Sequence, residues 1–482
     1  MKKILLTILV VATLSGCSIY KKYSRPAEIT TDNLYGEVVS QDTTTLADVS
    51  WRDFFTDKYL QGYIEQGLKS NVDLKIATER IGQSQAALRA AKMSFAPSFG
   101  FSPSFASESS RTTRIAYSVP ITASWEIDIL GRQLNRKRSA EAALEQSKLY
   151  HRSVQTALIA AIADNYYTLL MLDAQLRVSR STAASWRENV RTMKAMKEAG
   201  MTNEASISRT EANSCSIDAS MHDLEYSLVK AQNAFALLLG VTPQDFPRGE
   251  LNRVDFKQEL FIGVPMQLLS RRPDVQQAEY ELQLAYYNTN IAHANLYPSL
   301  TITGDIGFDG KPFAFAFSFL GKLVQPIFNA GANRANYKIA QSQQREALLN
   351  FEHKLLEAGS EVNTALAQCR AARSKTSLRI RQIETLERSV YSTRQLMSHS
   401  EATYLEVLTA QQALLSARLQ QVADRFEGIQ GVINLYRALG GGIDTSFEPA
   451  FDKNPIFRRD KAKREKAEQR KQEKRAEKRA EK

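Results

Sequence analysis

Four segments of the chain alternate between apolar residues and polar or small ones. In the longest, residues 115–129, the odd positions carry Ile, Tyr, Val, Ala and Trp, and most even positions carry Ser, Thr, Glu or Asp. Because successive side chains of a strand point to opposite faces, each segment is predicted to be a strand with one apolar face. A soluble β-sandwich and a membrane β-barrel both give this alternation. The predicted strands are residues 98–108, 113–129, 299–309 and 312–328, and Pro120 suggests a bulge in the second.

The segments that follow the strands are predicted to be very long helices. No proline occurs from Gly131 to about residue 200, or from Gly331 to about residue 400. A helix of about 68 residues rises about 100 Å, so it must pack against other helices rather than fit inside one compact domain. The last helix carries heptad spacing, which is typical of supercoiled helices. Its apolar residues are Leu408, Leu415, Leu419, Val422, Phe426, Ile429, Ile433 and Tyr436.

The two halves of the chain repeat one another. Four pairs of landmarks recur at an offset of about 200 residues: Asn71-Val72-Asp73 with Arg272-Pro273-Asp274, Ala96-Pro97-Ser98 with Tyr297-Pro298-Ser299, Leu130-Gly131 with Ala330-Gly331, and Leu239-Gly240 with Leu439-Gly440. A period this long indicates gene duplication. We assign residues 57–262 to the first repeat, with long helices at about 131–198 and 202–240. Residues 263–442 form the second, with long helices at about 331–398 and 401–440.

The N-terminus has the pattern of an export signal. Lys2 and Lys3 precede an apolar stretch, residues 4–14, which is followed by Ser15-Gly16-Cys17. This order resembles the lipobox of bacterial lipoproteins and predicts a signal peptide at 1–16, a covalent lipid on Cys17 and a polar tether at 17–56. An ordinary cleavage site that contains a cysteine is the alternative. No apolar run reaches the roughly 18 residues that a membrane-spanning helix needs.

The net charge of +11 is concentrated at the C-terminus. Residues 458–482 hold 13 Lys or Arg against 6 Asp or Glu, a net of +7. Because the chain carries an export signal, nucleic acid is not expected as a partner. A solvated extension within the C-terminal segment 443–482 is one interpretation of this charge, and contact with anionic lipid or peptidoglycan is the other.

The chain carries no recognisable catalytic or metal-binding pattern. Its five histidines lack metal-ligand spacing, and neither a nucleophile elbow nor a phosphate loop occurs. Beyond Cys17 only Cys215 and Cys369 remain, which do not make a disulfide framework and are expected to be buried free thiols. The sequence therefore predicts neither an enzyme nor a bound metal or cofactor.

The number of strands indicates an oligomer. Four strands cannot close a membrane barrel, since the smallest have about eight. An open sheet edge in lipid would leave backbone groups unpaired at several kcal/mol each. If the strands lie in a membrane, other copies of the chain must complete the barrel, and the long helices would continue the same cylinder around a lumen.

Two motifs resemble those of a known family. They are Trp-Glu-Ile-Asp-Ile-Leu-Gly-Arg at residues 125–132 and Arg-Arg-Pro-Asp-Val at 271–275, which Ala278-Glu279 follows. The chain from Cys17 to about Gly442 is similar to TolC-like outer-membrane efflux channels, in the lipoprotein branch that works with resistance-nodulation-division pumps. The resemblance implies an α+β membrane protein: a homotrimer with a twelve-stranded β-barrel, four strands per chain, continued by an α-helical barrel. It also implies a periplasmic adaptor and an inner-membrane pump as partners, and passive conduction without chemistry.

The resemblance points to a gate at the far ends of the long helices. Residues 400–411 are similar to the gate region of the family, and Glu406 occupies one common acidic position. Thr409 occupies the other, and Ser206 is the equivalent of Glu406 in the first repeat. A ring of Glu406 side chains would attract cations; a solvated helix glutamate is the alternative.

The second motif is better explained by structure than by function. Pro273 suits the first turn of a helix, and Asp274 is favourable near the positive end of the helix dipole. We therefore expect Arg272, Pro273 and Asp274, like Gly131 and Gly331, to be structural. Trp125 fits equally well an interfacial anchor and the lipid-facing stripe.

Two other functions remain possible from the residues alone. A coiled-coil lipoprotein that tethers envelope layers would explain the helices but not the strand pairs. An envelope hydrolase would need catalytic residues that the chain does not display. The exported substrate is not determined by the sequence.

Overall fold

The computed structural model describes residues 20–27, 29, 34, 45–109, 113–254, 256, 268–309, 315–324, 331–399 and 403–442. Of the strand segments 104–109, 113–120, 307–309, 315–319 and 321–324, only the backbone is described. The signal peptide, Cys17 and the C-terminal segment 443–482 lie outside the described residues.

The elements form one series that occurs twice along the chain: helices, then strands, then two long helices. The helices are α1 (Trp51–Phe54), α2 (Lys58–Ser70), α3 (Val72–Met93), α4 (Arg132–Glu198), α5 (Glu204–Leu239), α6 (Leu268–Arg271), α7 (Pro273–Ala294), α8 (Ala332–Ser398) and α9 (Tyr404–Ala438). The strands are β1 (Ser98–Phe101), β2 (Ser104–Ser109), β3 (Thr113–Ile127), β4 (Ser299–Asp309) and β5 (Phe315–Val324). The predicted duplication and long helices are thus confirmed.

The strands form one antiparallel sheet in the order β1-β3-β4-β5, and β2 continues the row of β1 by also pairing with β3. Pro103 lies between β1 and β2, and the register places it opposite Val119 of β3, beside the position where Pro120 falls opposite Ser102. Proline has no N–H to donate, so the ladder breaks across these two neighbouring positions. The last pair before the break and the first after it are Phe101–Ile121 and Ser104–Ser118.

This register corrects two expectations. The pairing passes over two residues on each strand, so no residue is inserted and the bulge predicted at Pro120 is wrong. The single strand predicted for residues 98–108 is two short strands in one row. The sheet therefore has four rows of strand, and its edges are β1 with β2 on one side and β5 on the other.

One face of the sheet is apolar and uncovered. Cross-strand pairing aligns Phe101, Ile121 and Ile306 in one row, and Trp125 with Ile302 in another. Of these, all but Ile302 are exposed in the single chain. The opposite face carries Thr and Ser at the alternate positions, as the alternation predicts.

The long helices form two antiparallel hairpins, α4 with α5 and α8 with α9. Next to the sheet, the helices lie side by side in the order α3, α4, α7, α8. Towards the far ends of the long helices, the order is α5, α4, α9, α8. The heptad residues of α9 are all buried or half-buried, as expected for helices packed along their length. Among the described residues, no helix is long and apolar enough to cross a membrane.

An aromatic cluster packs the short helices against the long ones midway along the molecule. Phe54 stacks on Tyr436 with ring centroids 4.1 Å apart, and the Tyr436 hydroxyl donates to the Val49 carbonyl at 2.6 Å. The Tyr166 hydroxyl donates to the Asp57 carboxylate, also at 2.6 Å. These contacts join α1 and the segments on either side of it to α4 and α9.

Candidate functional site

The far end of the first hairpin is a tight turn. Gly200 adopts the left-handed conformation (φ 70°), which suits glycine because it has no Cβ. Asn203 then caps α5, and its side-chain oxygen accepts the Ser206 N–H at 2.9 Å and the Ser206 hydroxyl at 3.1 Å. Across the turn, Lys194 pairs with Glu211 at 2.8 Å. Ser206 is therefore engaged in the helix cap.

Glu406 lies in the first turn of α9 and is exposed. Its backbone N–H donates to the Thr403 carbonyl at 3.1 Å, and the described residues offer its carboxylate no ion-pair partner. The Thr409 hydroxyl, one turn further on, donates to the Leu405 carbonyl at 2.9 Å. Because residues three apart share a helix face, Glu406 and Thr409 lie side by side. Ser206 lies on the other hairpin.

An apolar cluster close to Glu406 joins the two hairpins. Its core is Ala183 and Trp186 of α4, Ile217 of α5 and Leu408 of α9, and Met221, Tyr404 and Leu415 pack against it. Trp186 is only 1% exposed. Nearby, the Asn189 side-chain amide donates to Gln411 Oε1 at 2.7 Å. We call this set, with the Asn189–Gln411 bond, the hairpin lock.

Two polar atoms of the hairpin lock are buried without a hydrogen-bond partner among the described residues. They are Trp186 Nε1 and the Tyr404 hydroxyl. Burial raises the pKa of Tyr404 to about 12, which keeps the hydroxyl neutral. The heptad pattern marked Leu408 and Leu415 as core residues, but it gave no sign of Trp186 as their partner, since α4 and α9 lie far apart in sequence.

Arg272, Pro273 and Asp274 form a buried framework at the start of α7. Arg272 is 6% exposed, and its guanidinium contacts the Asp274 carboxylate through two bonds of 3.0 and 2.6 Å. It also donates to Glu361 of α8 at 2.7 Å and to the Ala438 carbonyl of α9 at 3.1 Å. Pro273 is the first residue of α7.

Burial alone would raise the pKa of Asp274. The hydrogen bonds and positive charge of Arg272 outweigh burial, and the pKa of that carboxyl is lowered. Asp274 is therefore held ionised. The sequence indicated the helix start but missed Glu361, which is 89 residues from Arg272.

The first repeat builds the same junction with different atoms. The Asn71 side chain donates to the Leu238 carbonyl at 3.0 Å and accepts the Leu74 N–H at 3.1 Å. Asn71 thus takes the place of Arg272, and Leu238 that of Ala438. In both repeats a left-handed glycine, Gly240 or Gly440, ends the last helix next to this junction.

A match to a family model decides the identity of the chain. The model described as outer membrane efflux protein covers residues 63–241 and 264–441, which are the two repeats in turn. The chain belongs to the outer membrane efflux protein family. A model for the prokaryotic membrane lipoprotein lipid attachment site matches residues 1–18.

Relatives of known name span almost the whole chain. The cation efflux system protein CusC of Escherichia coli K12 is 27% identical over 454 residues, 91% of this chain and 99% of CusC. The antibiotic efflux pump outer membrane protein ArpC of Pseudomonas putida is 28% identical over 483 residues, 92% and 96% of the two chains. The solvent efflux pump outer membrane protein SrpC of Pseudomonas putida is 27% identical over 462 residues, 90% and 97%.

Solved structures share the fold. A CusC crystal structure matches with a TM-score of 0.79 at 26% identity, covering 88% of this chain and 100% of that one. The open-state MtrE channel of Neisseria gonorrhoeae has a TM-score of 0.77 at 24% identity, covering 88% and 98%, and bears on the fold alone.

The efflux protein is therefore an outer-membrane lipoprotein channel with a periplasmic helical domain, and a component of efflux pumps. It is not an enzyme, because its family consists of efflux channels. The rival interpretations, an envelope tether and a hydrolase, are set aside by the family match.

The junction between the strands and the long helices of the efflux protein is closely fixed. Gly131 and Gly331 precede α4 and α8 in the left-handed conformation (φ 70° and 77°). The Asp128 carboxylate accepts the first free N–H groups of α4, from Gln133 at 3.0 Å and Leu134 at 2.8 Å. This carboxylate supplies the cap that Gly131, without a side chain, cannot.

The start of the tether lies at the same junction. The Tyr20 hydroxyl is 2.8 Å from His293 Nδ1, and Arg25 makes two bonds to Glu279 of α7 at 2.7 and 2.5 Å. Trp125 of β3 donates to the Phe95 carbonyl at 2.9 Å. In the sequence, Tyr20 is three positions after Cys17, the expected lipid site.

The cysteines depart from expectation in one case. Cys369 is buried, as expected, and burial is the main reason that its pKa is raised. Cys215 of α5 is exposed, which contradicts the expectation of two buried thiols. Among the described residues, no group of His, Cys, Asp or Glu could hold a metal ion.

Proposed function

We propose that three copies of this chain form a passive duct. It conducts small solutes from an inner-membrane resistance-nodulation-division pump and its periplasmic adaptor to the exterior. Each copy contributes four rows of strand to a twelve-stranded barrel, which the long helices continue as a coiled-coil barrel. The observation that carries the proposal is that the sheet and the rows of helices in one chain each have two open edges, with the first repeat on one side and the second repeat on the other.

In the sheet, one edge belongs to the first repeat (β1 and β2) and the other to the second (β5). Among the helices, α3 and α5 of the first repeat and α8 of the second lie at the ends of the two neighbour orders described above. Edges of opposite kind on the two sides of one subunit pair head to tail, and such pairing closes a ring when the rotation is right.

Membrane energetics favour closure. An unpaired strand edge in hydrocarbon costs several kcal/mol for each backbone group, so the strands need neighbours on both sides. The exposed apolar face, with Phe101, Ile121 and Trp125, then faces lipid. The face with Thr122 and Ser124 lines the lumen.

The domain assignments carry over as part of the proposal. Residues 57–262 and 263–442 act as two equivalent segments of the wall, so that three copies supply six. Residues 17–56, beginning at a lipid-bearing Cys17, tether the wall to the membrane. No cofactor other than this lipid is needed.

At the periplasmic end, we place a gate formed by a ring of three Glu406 side chains, one from each copy. The support is that Glu406 is exposed at the start of α9 and shares a face with Thr409. Thr409 stands where a second acidic ring would be, and Ser206 is engaged in a cap, so the ring has one layer and comes from the second repeat alone.

The cargo is set by the pump rather than by the duct. Relatives of nearly equal similarity are named for cation, antibiotic and solvent efflux. A duct wall that serves such different systems does not itself select the exported compound.

Conductance and mass test the proposal together. The purified lipoprotein should have the mass of three chains in detergent and should give discrete single-channel steps in planar bilayers. A monomeric mass, or a trimer that never conducts, would contradict the duct. Cross-linking in cells should capture the adaptor at the helical end, and its absence there would contradict the partner assignment alone.

A further inference from the structure

The start of the tether marks the level at which the membrane surface meets the helices. Cys17, the expected lipid site, is three positions before Tyr20, and three residues span at most about 11 Å. Tyr20 is held at the sheet end of α7 by His293, with the two ring centroids 5.9 Å apart. A lipid on Cys17 must therefore enter the membrane close to the ends of the strands.

An aromatic set on the second repeat receives the tether at this level. His293 packs against Tyr297 and against Tyr337 of α8, with ring centroids 5.3 and 5.0 Å apart. The Tyr286 hydroxyl donates to the Lys21 carbonyl at 3.1 Å. The lipid that the tether carries must lie outside the wall of the duct, so the face with this aromatic set is the outer face.

The first repeat has basic residues at the equivalent positions. Lys92 of α3 stands where α7 has His293, 201 residues later, and Lys137 of α4 stands where α8 has Tyr337, 200 residues later. Lys92 is exposed and Lys137 is half-buried. At this level, the outer face is therefore aromatic where the tether covers it and basic in the other repeat.

Four more basic side chains extend this surface. Lys21 and Lys22 of the tether are exposed, and so are Arg334 and Lys338 at the start of α8. Arg334 shares a helix face with Tyr337, three residues on, and with Lys338, four residues on. The set that we call the basic girdle consists of Lys21, Lys22, Lys92, Lys137, Arg334 and Lys338.

The carboxylates near the sheet end of the helices leave the girdle positive. Glu126 pairs with Arg132, and the Asp128 carboxylate caps α4. Glu141 lies 3.7 Å from the Lys137 ammonium, a long contact at the surface. Within the described part of the chain, the girdle has no other ion pair. Most of its charge is therefore available to an anion.

Apolar side chains adjoin the girdle at Lys92. Met93 is 66% exposed, Phe95 is also exposed, and Trp125 donates to the Phe95 carbonyl at 2.9 Å. Tryptophan is typical of the membrane–water interface, and a lysine there lays its stem along apolar surface while its ammonium reaches the headgroups. A phospholipid fits both features, because it joins a phosphate to acyl chains. Free phosphate and peptidoglycan lack the apolar part.

We propose that the basic girdle binds the phosphate groups of anionic phospholipids in the periplasmic leaflet of the outer membrane. Basic residues beside a membrane attract anionic headgroups, and here they would fix the depth of the sheet in the bilayer. The inference rests on the proposed placement of the sheet in the membrane. It goes beyond the duct, since conduction itself requires no bound lipid.

Neutral variants give the first test. Native mass spectrometry of the purified full-length lipoprotein would count bound phosphatidylglycerol and phosphatidylcholine. The wild type should prefer phosphatidylglycerol several-fold, and high salt should weaken this preference because it screens charge. The preference should be lost when four girdle residues are changed together, in Lys92→Gln, Lys137→Gln, Arg334→Gln and Lys338→Gln.

Four exposed basic residues far from the sheet provide a matched control. They lie on α5 and α8, and two of them, Arg370 and Arg381, are about 60 and 75 Å along α8 from its start. Their replacement removes the same charge as the girdle variant and should leave the lipid preference at the wild-type value. The control substitutions are Arg209→Gln, Lys230→Gln, Arg370→Gln and Arg381→Gln.

Tryptophan fluorescence locates the bound lipid. Trp125 is 41% exposed, whereas Trp51 and Trp186 are each 1% exposed. In phosphatidylcholine vesicles that hold a small fraction of phosphatidylglycerol with brominated acyl chains, fluorescence should be quenched more than by the same fraction of brominated phosphatidylcholine. The girdle variant should lose this excess quenching, and so should Trp125→Phe.

A conservative variant separates charge from fold. Lys92→Arg, Lys137→Arg and Lys338→Arg together keep every positive charge of the girdle and should retain both the lipid preference and the excess quenching. If this variant loses the preference although it still forms a conducting trimer, charge is not what binds the lipid and the inference is wrong.

The duct and the girdle can fail independently. A chain that forms no conducting trimer would overturn the duct. A conducting trimer without a preference for phosphatidylglycerol, or one that loses it equally in the girdle and control variants, would overturn the girdle alone. Displacement of the lipid by inorganic phosphate would indicate a free-anion site instead. A girdle variant that loses only binding to isolated peptidoglycan would assign this surface to the cell wall.

Discussion

At the residue scale, side chains with the same carboxylate group differ in what they do because their neighbours differ. Asp274 is held ionised by Arg272, and Glu406 is exposed at the end of a helix. The first carboxylate belongs to the framework, and the second is available to a permeating ion. Two predictions follow this division.

Removing the charge of Glu406 should change permeation without changing stability. Glu406→Gln keeps the shape and removes the negative ring, which should weaken block by multivalent cations and alter conductance, because charged rings concentrate counter-ions in a pore. The measurement is single-channel recording with and without the cation. If conductance and block by multivalent cations are both unchanged, the gate proposal is wrong. A lowered melting temperature would instead indicate a structural role.

Removing Arg272 should destabilise the protein strongly. Arg272→Ala leaves Asp274 and Glu361 without their buried partner, which typically costs about 3–5 kcal/mol. Arg271→Ala is the control, because its pair with Asp48 lies at the surface, with the two side chains 30% and 53% exposed, and surface pairs contribute about 0–1 kcal/mol. Denaturant unfolding of the detergent-solubilised protein measures both. Equal losses for the two variants would contradict the framework role.

At the scale of elements, the ends of the long helices depend on glycines for two separable reasons. Gly200 and Gly240 both have positive φ. A Cβ at Gly200 would meet nothing within 4 Å, whereas at Gly240 it would lie 2.8 Å from the Ser70 carbonyl oxygen. The first position needs glycine for its conformation, and the second needs it also for close packing.

Alanine substitution should separate these reasons. Gly200→Ala should cost about 1 kcal/mol or somewhat more, the usual penalty of a left-handed L-residue. Gly240→Ala should cost clearly more, because the backbone of Ser70 must also move. Thermal unfolding of the two variants side by side is the measurement, and a Gly240→Ala variant no less stable than Gly200→Ala would contradict the packing argument.

At the scale of the whole molecule, the apolar sheet face has no cover in one chain. Phe101 and Ile121 are exposed although they occupy the face that a water-soluble sheet would bury. Their exposure makes sense only in lipid, in agreement with the outer-membrane location of the family.

A charge on this face should impair membrane assembly. Ile121→Lys places a lysine toward lipid, which costs about 2–4 kcal/mol near the middle of a bilayer. Thr122→Lys, one residue further along β3, points the same charge to the polar face and should be tolerated. The amount of heat-resistant oligomer in outer-membrane fractions measures both, and equal yields would show that the face assignment is wrong.

Much of this fold follows from regularities along the chain. The alternation gives the two sheet faces, the heptads give the packing of α9, and the constant offset gives the duplication. Each of these depends on residues that are near one another in sequence or that are related by the single repeat offset. The broken row at Pro103 was missed because it arises from Pro103 and Pro120, which come into neighbouring positions only when β1 and β3 pair.

The contacts between distant segments came from the tertiary structure alone. The sequence named Arg272 and Asp274 but not Glu361, and it named Leu408 but not Trp186, because no local pattern relates helices that lie side by side. Leu149 and Leu349 show the limit most clearly. They are the same residue at the same place in the two repeats, so the sequence assigns them one environment. The structure buries the first and exposes the second, since burial depends on which element the fold brings alongside.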